Sequence, residues 1–311
     1  MNKKALLCIV ICGLLALLLT AGLVYFLTVP DAAQNAAARF GIDLPASQSE
    51  SVPDDSILQD TVPSVSDGDC TIYTAEADAV KIEWSAGEVK ILPSDNGRLE
   101  FFENAQPQEK YELEAHTEKM GGRTTLVIRD YPRSVLGIRL NTTPKLLTVC
   151  VPEKMLDSIT VDTASADIRL SDLSLPTLDM ETASGAVSVT NADVSSLSVD
   201  TASGEVIVEN TAASRLLLDS ASGALSASGS FDFLDVESSS GSVYVKDAAI
   251  PKSLGIETAS GSVTLWLPAA CREQVAFDTA SGKLESFLGV THGDAAYEIE
   301  TASGNVTICA G

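Results

Sequence analysis

Leu197-Ser198-Val199-Asp200-Thr201-Ala202-Ser203-Gly204-Glu205-Val206-Ile207-Val208 decides the fold of this chain. Along an extended strand, Leu197 and Val199 point one way, Ser198 and Asp200 the other. Ala202-Ser203-Gly204 then turns the backbone, and Val206 and Val208 point inward on the next side, with Glu205 outward. The Thr-Ala-Ser-Gly corner occurs intact five times, beginning at Thr182, Thr201, Thr258, Thr279 and Thr301. Variants begin at Thr163, Ser220 and Ser238, so successive starts are separated by 19, 19, 19, 18, 20, 21 and 22 residues. A fixed period near twenty residues marks a repeat array.

The same columns recur around every corner. Four residues before each start stand Ile159, Leu178, Leu197, Leu216, Leu234, Leu254, Val275 and Tyr297. Two before stand Val161, Met180, Val199, Leu218, Val236, Ile256, Phe277 and Ile299; five after stand Ile168, Val187, Val206, Leu225, Val243, Val263, Leu284 and Val306. One coil cannot bury such a stripe alone, but coils stacked ~4.8 Å apart can, with backbone hydrogen bonds running between them. Leucine-rich repeats share the period but not the spacing of leucines. The chain therefore reads as all-β, a parallel β-solenoid of 19–22 residues per coil, behind one N-terminal transmembrane helix.

Residues 1–30 supply that helix. Lys3 and Lys4 precede an uncharged run over 5–29, long enough at ~1.5 Å per residue to cross a ~30 Å hydrocarbon core. The run continues past Ala21-Gly22 through Leu23-Val24-Tyr25, which reads as an uncleaved anchor; a cleaved signal peptide would have a shorter apolar region. The flanking lysines place the N-terminus in the cytoplasm and the body outside a single-pass cell membrane. Residues 31–68 are a Pro/Ser/Asp-rich linker, 69–155 an irregular β lead-in or cap, and 156–311 the regular array. Within the lead-in, 80–91 reads as an early divergent coil that turns at Ser85-Ala86-Gly87.

Composition removes several functions. With 43 acidic against 20 basic residues the net charge is −23, which repels nucleic acid. His116 and His292 are far apart and read as surface residues, and zinc-ligand spacings do not occur. Cys70, Cys150, Cys271 and Cys309 are irregularly spaced; isolated core thiols and a single disulfide both remain open. The corner serines lack a recurring base, so a nucleophilic role has no support. A glycan-cleaving site would need basic residues beside carboxylates, yet Arg169, Arg215, Lys246, Lys252, Arg272 and Lys283 occupy non-equivalent positions. The chain is expected not to be an enzyme.

Packing explains the corner: glycine takes a positive φ, alanine is small, and the hydroxyls bond to backbone. It does not explain the residue before each corner. Asp162, Glu181, Asp200, Asp219, Glu237, Glu257, Asp278 and Glu300 form an unbroken acidic column. Neighbours one coil apart repel by ~0.9 kcal/mol in water before screening. The column is read either as a soluble outer edge that opposes sheet association, or as a strip that collects Ca²⁺ or basic partners.

These corners, with 80–91 and the Val149-Cys150-Val151-Pro152 lead-in, resemble the bacterial "putative adhesin" family over about 80 to 308. The resemblance implies a β-helical domain of unknown biochemistry, surface adhesion and no site residues to carry over. Ala166 in place of glycine and the all-serine corner at Ser238 depart from the pattern. The functional expectation is an extracytoplasmic, non-catalytic binding module for a protein or glycan partner. Two alternatives stand beside it: a scaffold assembling through an uncapped C-terminal coil, and an accessory in envelope-stress signalling.

Overall fold

The computed structural model describes residues 60–61, 64–67, 70–104, 113–120, 122–130, 134–135, 138–139, 145–153, 156–291 and 295–311. The expected membrane helix, most of the linker and His292 lie outside the described residues. Among the described residues the chain is all-β, with strands and turns and no helix.

Each regular coil has three sides. On the first, strands such as Ser174–Thr182 and Asp193–Thr201 stack in parallel, with Leu178 opposite Leu197 and Met180 opposite Val199. The corner motif leads to the second side, where Val187–Thr190 lies between Ser158–Ser171 and Val206–Ser220. A second corner returns the chain to a short third side, seen where Leu175 pairs with Val194. The apolar columns read from the sequence form the core. Ile159, Leu178, Leu197 and Leu216 are all 0% exposed.

Thr-Ala-Ser-Gly works by contact rather than by backbone conformation. Positive φ was expected at its glycine, but among the described glycines only Gly87, Gly97 and Gly122 have it. The corner glycines are needed because successive corners touch. A Cβ on Gly204 would sit 1.9 Å from the Gly185 carbonyl oxygen, and one on Gly223 would sit 1.8 Å from that of Gly204. The left-handed residues are at the second corner, where Asp172, Asn191 and Asn210 have φ of 60°, 54° and 50°. Asp and Asn tolerate that region through local side-chain bonding, and Asn191 Nδ2 donates to Asp172 Oδ1 at 2.9 Å.

The order of coils in space differs from their order in the chain at both ends. Ala79–Pro93 stacks against Ser158–Ser171 on one side. On its other side it meets Arg123–Asp130 and Lys145–Val151, which together make one split coil. Leu113–Met120 and Leu99–Asn104 pair antiparallel with that coil and close the stack. At the opposite end Ser253–Thr258 pairs with Tyr297–Thr301, which pairs in turn with Gln274–Thr279. Val263–Leu267, Val306–Ala310 and Leu284–Ser286 repeat that order on the second side.

The last coil is therefore internal, and the expectation of an uncapped C-terminal coil is corrected. The inward residues supply the reason, since Ser286 stands where the 297–308 coil has Ile308. Tyr297, Ile299, Val306 and Ile308 are at most 3% exposed. Phe277 and Leu284 are only partly buried, and Phe287 is 39% exposed. The more completely apolar coil takes the position covered on both sides.

His116 is also corrected, being only 6% exposed. Its strand lies between Arg123–Asp130 and Asp60–Thr61, and its Nε2 is 3.0 Å from Glu118 Oε1. Cys150, Cys271 and Cys309 are free thiols, with Cys271 buried and the others half-buried.

Candidate functional site

The corner hydroxyls are spent on structure. At seven corners the first residue accepts a bond from its glycine N–H, as in Gly204 N to Thr201 Oγ1 at 2.8 Å and Gly304 N to Thr301 Oγ1 at 2.7 Å. At the Ala166 corner Thr163 Oγ1 lies within hydrogen-bond distance of Ala166 O, at 3.2 Å, and of Thr182 Oγ1, at 2.9 Å, and its single proton serves one of them. The third residue bonds between coils: Ser203 Oγ donates to Ala183 O at 3.2 Å and Ser303 Oγ to Ala259 O at 3.3 Å. All eight serines at the third corner position make such a bond, so each of those hydroxyl protons is committed to a carbonyl.

The acidic column is real and continuous on the first side. Asp162 lies opposite Glu181, followed by Asp200, Asp219, Glu237 and Glu257. The exchange of end coils then places Glu300 before Asp278. All eight residues are exposed. Partial desolvation between stacked coils first, then neighbouring charge, raises the carboxyls of Asp162, Glu181, Asp200, Asp219, Glu237 and Glu257 above their usual range. Strands hold these side chains parallel, one coil apart, rather than converging. Among the described residues no group of three or more His, Cys, Asp or Glu is gathered as a metal ion requires.

A ninth acid belongs to the column and was not assigned to it from the sequence. Glu83 lies opposite Asp162, and Trp84 occupies the column of the corner threonines. The signal was an acid directly before 84–87, obscured by tryptophan in place of threonine. Arg129 closes this end, with its Nε 2.6 Å from Glu83 Oε2. Burial pushes the Glu83 carboxyl up, but bonds and charge from Lys81 and Arg129 outweigh it and hold it below the ordinary value.

Toward the other end the first side is interrupted by a notch. The outward column one step inside the acids runs Asp179, Ser198, Leu217, Asp235, Gly255 and Glu298. Gly255 leaves a gap there, and a groove of about 420 Å³ opens between Phe233, Arg215 and Leu217 on one flank and Glu298 and Glu300 on the other. Phe233 is 38% exposed. Arg215 Cζ and Lys252 Nζ lie 5.5 and 5.7 Å from its ring centroid, distances at which cations are held by the ring. These two basic residues looked scattered in the sequence, and stacking brings them onto one aromatic ring. A glycine at an outward strand position was the available signal for the notch.

Two further polar clusters were not foreseen. At the N-terminal cap, Ser85 N donates to Asp130 Oδ1 at 2.9 Å, and Ser85 Oγ bonds Asp130 Oδ2. Lys145 Nζ lies 3.5 Å from that carboxylate and 5.6 Å from the Trp84 ring centroid, with both charged side chains at most 4% exposed. This buried pair ties the two halves of the split coil together. In the C-terminal part, Asp247 is 4% exposed and its Oδ1 accepts from Phe231 N and Ala249 N. Burial raises its carboxyl to about 6 against those two bonds. Tyr297 Oη donates to Pro251 O at 2.8 Å and holds the inserted coil to its neighbour.

A solved structure shares this fold, and others are similar in part. A protein described as a "putative lipid binding protein" from Parabacteroides distasonis ATCC 8503 is 16% identical, with 78% of this chain and 97% of that chain covered and a TM-score of 0.52. A "putative adhesin" from Bacteroides fragilis NCTC 9343 is 13% identical, with 77% and 95% covered and a TM-score of 0.45. A "putative adhesin" from Parabacteroides merdae ATCC 43184 is 13% identical, with 77% and 95% covered and a TM-score of 0.43. At 16% identity the likeness to the first of these is one of fold alone. No curated protein matches the sequence. The Toastrack DUF4097 family profile matches residues 71–309, in keeping with the resemblance carried by the repeated corners. This chain belongs to the Toastrack DUF4097 family.

Proposed function

We propose that the chain is a membrane-anchored, extracytoplasmic β-solenoid that acts as a non-catalytic binding module, an adhesin or envelope-associated partner protein. The notch at Gly255 carries this reading. It is an open groove of about 420 Å³ on a flat, carboxylate-lined side, with Phe233, Arg215 and Glu298 at its rim. Such a site offers an aromatic edge and charges of both signs to a protruding segment of a partner. The acidic column beside it favours a partner with a basic surface and speeds encounter at low salt. The uncharged run over 5–29 supports the anchor, and the linker over 31–68 supports presentation of the body away from the membrane.

The test has two arms. On intact cells, Ser56→Cys in the linker should react with a membrane-impermeant thiol reagent; protection of that site would overturn the topology. Gly255→Leu in the full-length chain should fill the notch and remove partner proteins recovered by envelope crosslinking, with thermal unfolding unchanged. Undiminished crosslinking to the same proteins would overturn the assignment of the notch.

A second reading, a self-assembling scaffold, is favoured by the coil that ends the stack. Among the described residues Leu284–Ser286 is paired on one side only, to Val306–Ala310, and that strand edge is open to a second copy. Sedimentation of the detergent-solubilised full chain at rising concentration should show higher oligomers; a strict monomer would eliminate this reading.

A further inference from the structure

The split coil at the N-terminal end has a corner that the backbone leaves open. Arg129 lies opposite Glu83, which sets Asp130 level with Trp84 in the column of the corner threonines. Lys145 lies opposite Gly87, in the column of the corner glycines. In the regular coils these two columns are three residues apart, and a glycine N–H bonded to a Thr or Ser hydroxyl joins them. Here residues 131–144 separate them in sequence. Two side chains span the gap instead: Lys145 Nζ lies 3.5 Å from Asp130 Oδ2, and the side chains are 1% and 4% exposed.

As an ion pair this contact is poor value, since burying both charges costs desolvation that only close, well-bonded geometry repays. Its neighbours are groups suited to joining the two side chains covalently. Ser85 N donates to Asp130 Oδ1 at 2.9 Å and Ser85 Oγ to Asp130 Oδ2, so both oxygens of the carboxyl group are held. The Trp84 ring centroid lies 5.6 Å from the amine. Glu103 lies opposite Leu147 and so faces the same way as Lys145, two residues along that strand. Its Oε1 is buried and makes no hydrogen bond among the described residues. Burial raises the Glu103 carboxyl, with the Lys145 charge opposing and the Asp130 charge adding to the shift, so both members of the pair act on it.

We propose that Lys145 and Asp130 condense to a side-chain amide, a covalent cross-link that forms in the folded protein and closes the split coil. Lys145 Nζ attacks Asp130 Cγ; one C–N bond forms and the Cγ–Oδ2 bond breaks. Of the three ammonium protons, one stays on the amide nitrogen and two leave with Oδ2 as water, so nothing is oxidised or reduced. The Glu103 carboxyl takes a proton from the nitrogen and returns one to the departing oxygen, while Ser85 N–H stabilises the charge that builds on Oδ1. Fixing both groups in one buried place supplies the proximity that free side chains in water lack. The cross-link also serves the body mechanically. Cys70–Ala75, which follows the linker, pairs with Leu99–Asn104, and that strand pairs with Lys145–Val151. A pull through the linker is passed to the Lys145 strand, which the amide ties to Arg123–Asp130.

Intact-mass measurement on the detergent-solubilised full-length chain tests the proposal. The wild type should be lighter than its sequence mass by one water. Lys145→Arg keeps the positive charge but lacks the amine, and should have its full sequence mass. Tryptic digestion of the wild type should leave residues 130–133 joined to residues 140–154, uncleaved at Lys145. Glu103→Gln should slow linking by about a hundredfold, within the range of general acid–base catalysis, read as the unlinked fraction in freshly synthesised protein. A wild type of full sequence mass would overturn the proposal and leave an ion pair only, however the variants behave. The same water loss in Lys145→Arg would also overturn it, since the loss would then lie elsewhere, as in a cyclised Asp67-Gly68 step. Undiminished linking in Glu103→Gln would overturn the proton transfer assigned to Glu103.

Discussion

The solenoid has a uniform half and a decorated half. Residues 156–230 contain no Phe, Tyr or Trp, their corners begin 19 residues apart, and their coils stack in chain order. Residues 231–311 contain seven aromatic residues, their corners are spaced by 20, 21 and 22, and two of their coils exchange places. Both halves use the same corner chemistry, with a buried Thr or Ser, a bridging Ser and a close-packed Gly. What differs is how much each coil departs outward from that common frame. The uniform half is nearly all stack, whereas the notch, the exposed aromatic residues Phe233, Tyr244 and Phe287, buried Asp247 and the open edge all lie wholly or mainly in the decorated half. Repetition supplies rigidity, and departure from repetition supplies surface.

The comparison breaks most readily at the glycines. Gly204→Ala places a methyl group 1.9 Å from the Gly185 carbonyl oxygen, and the corner cannot yield without separating coils on both sides. The expected loss is more than ~4 kcal/mol, in the range reached only by severe core disruption. Gly289→Ala, in the coil that ends the stack, meets nothing nearer than Gln274 Cγ at 3.9 Å. Its effect should lie within ~0.5 kcal/mol. Denaturant unfolding of the two variants reads the contrast directly, and comparable losses would mean that the corners do not bear on one another as described.

That contrast also shows which parts of the structure could be read in advance. Leu178, Leu197 and Leu216 announce their column because burial demands an apolar residue at the same phase in every coil. The strand order at the ends could not be read that way. Tyr297 and Val275 satisfy the same column, so that column cannot rank them; only the second side, where Ser286 stands opposite Ile308, distinguishes the coils. The corner glycine was recognised but for the wrong reason, since repetition reveals that a residue is required and not whether φ or contact requires it. The acidic column was legible as a pattern. The notch was not, because a groove arises from what Gly255 lacks between Asp235 and Glu298, two residues 63 positions apart in the chain.

Asp247 sharpens the comparison through pH. It sits where a coil of the decorated half leaves the second side, and burial holds its carboxyl at about 6, above the ordinary 3.8. The folded state therefore binds this proton more tightly than the unfolded chain. Its contribution to stability is fully present below the unfolded value and is lost as pH rises through about 6. A shift of this size corresponds to about 3 kcal/mol. Asp247→Asn retains an acceptor for Phe231 N and Ala249 N but has no proton to lose. Unfolding measured across this range should show the variant gaining on the wild type by up to about 3 kcal/mol as pH rises. A constant difference between the two would remove Asp247 as a source of pH dependence.

The smallest effect concerns the acidic column, which crosses both halves and tests whether its charges matter to the stack at all. Asp200 lies between Glu181 and Asp219 in register. Burial, with Asp179 nearby, raises its carboxyl, so its charge opposes folding once the pH exceeds its folded value. Asp200→Asn removes two repulsions of ~0.9 kcal/mol each before screening. With screening, a gain of a few tenths of a kcal/mol is expected at neutral pH, shrinking further at ~1 M salt, where charges are screened within ~3 Å. Glu83 provides the opposite sign, because Arg129 and Lys81 close the column there and hold its carboxyl low. Its contribution is present above the unfolded value and is lost as pH falls through the folded one. Glu83→Gln should therefore destabilise at neutral pH by up to ~1 kcal/mol, the range of a surface ion pair. Opposite signs would establish that the column is a repulsive strip compensated at its N-terminal end, held in place by the stacking of the coils rather than by its own charges. Equal signs would mean that local packing, not charge, sets both effects.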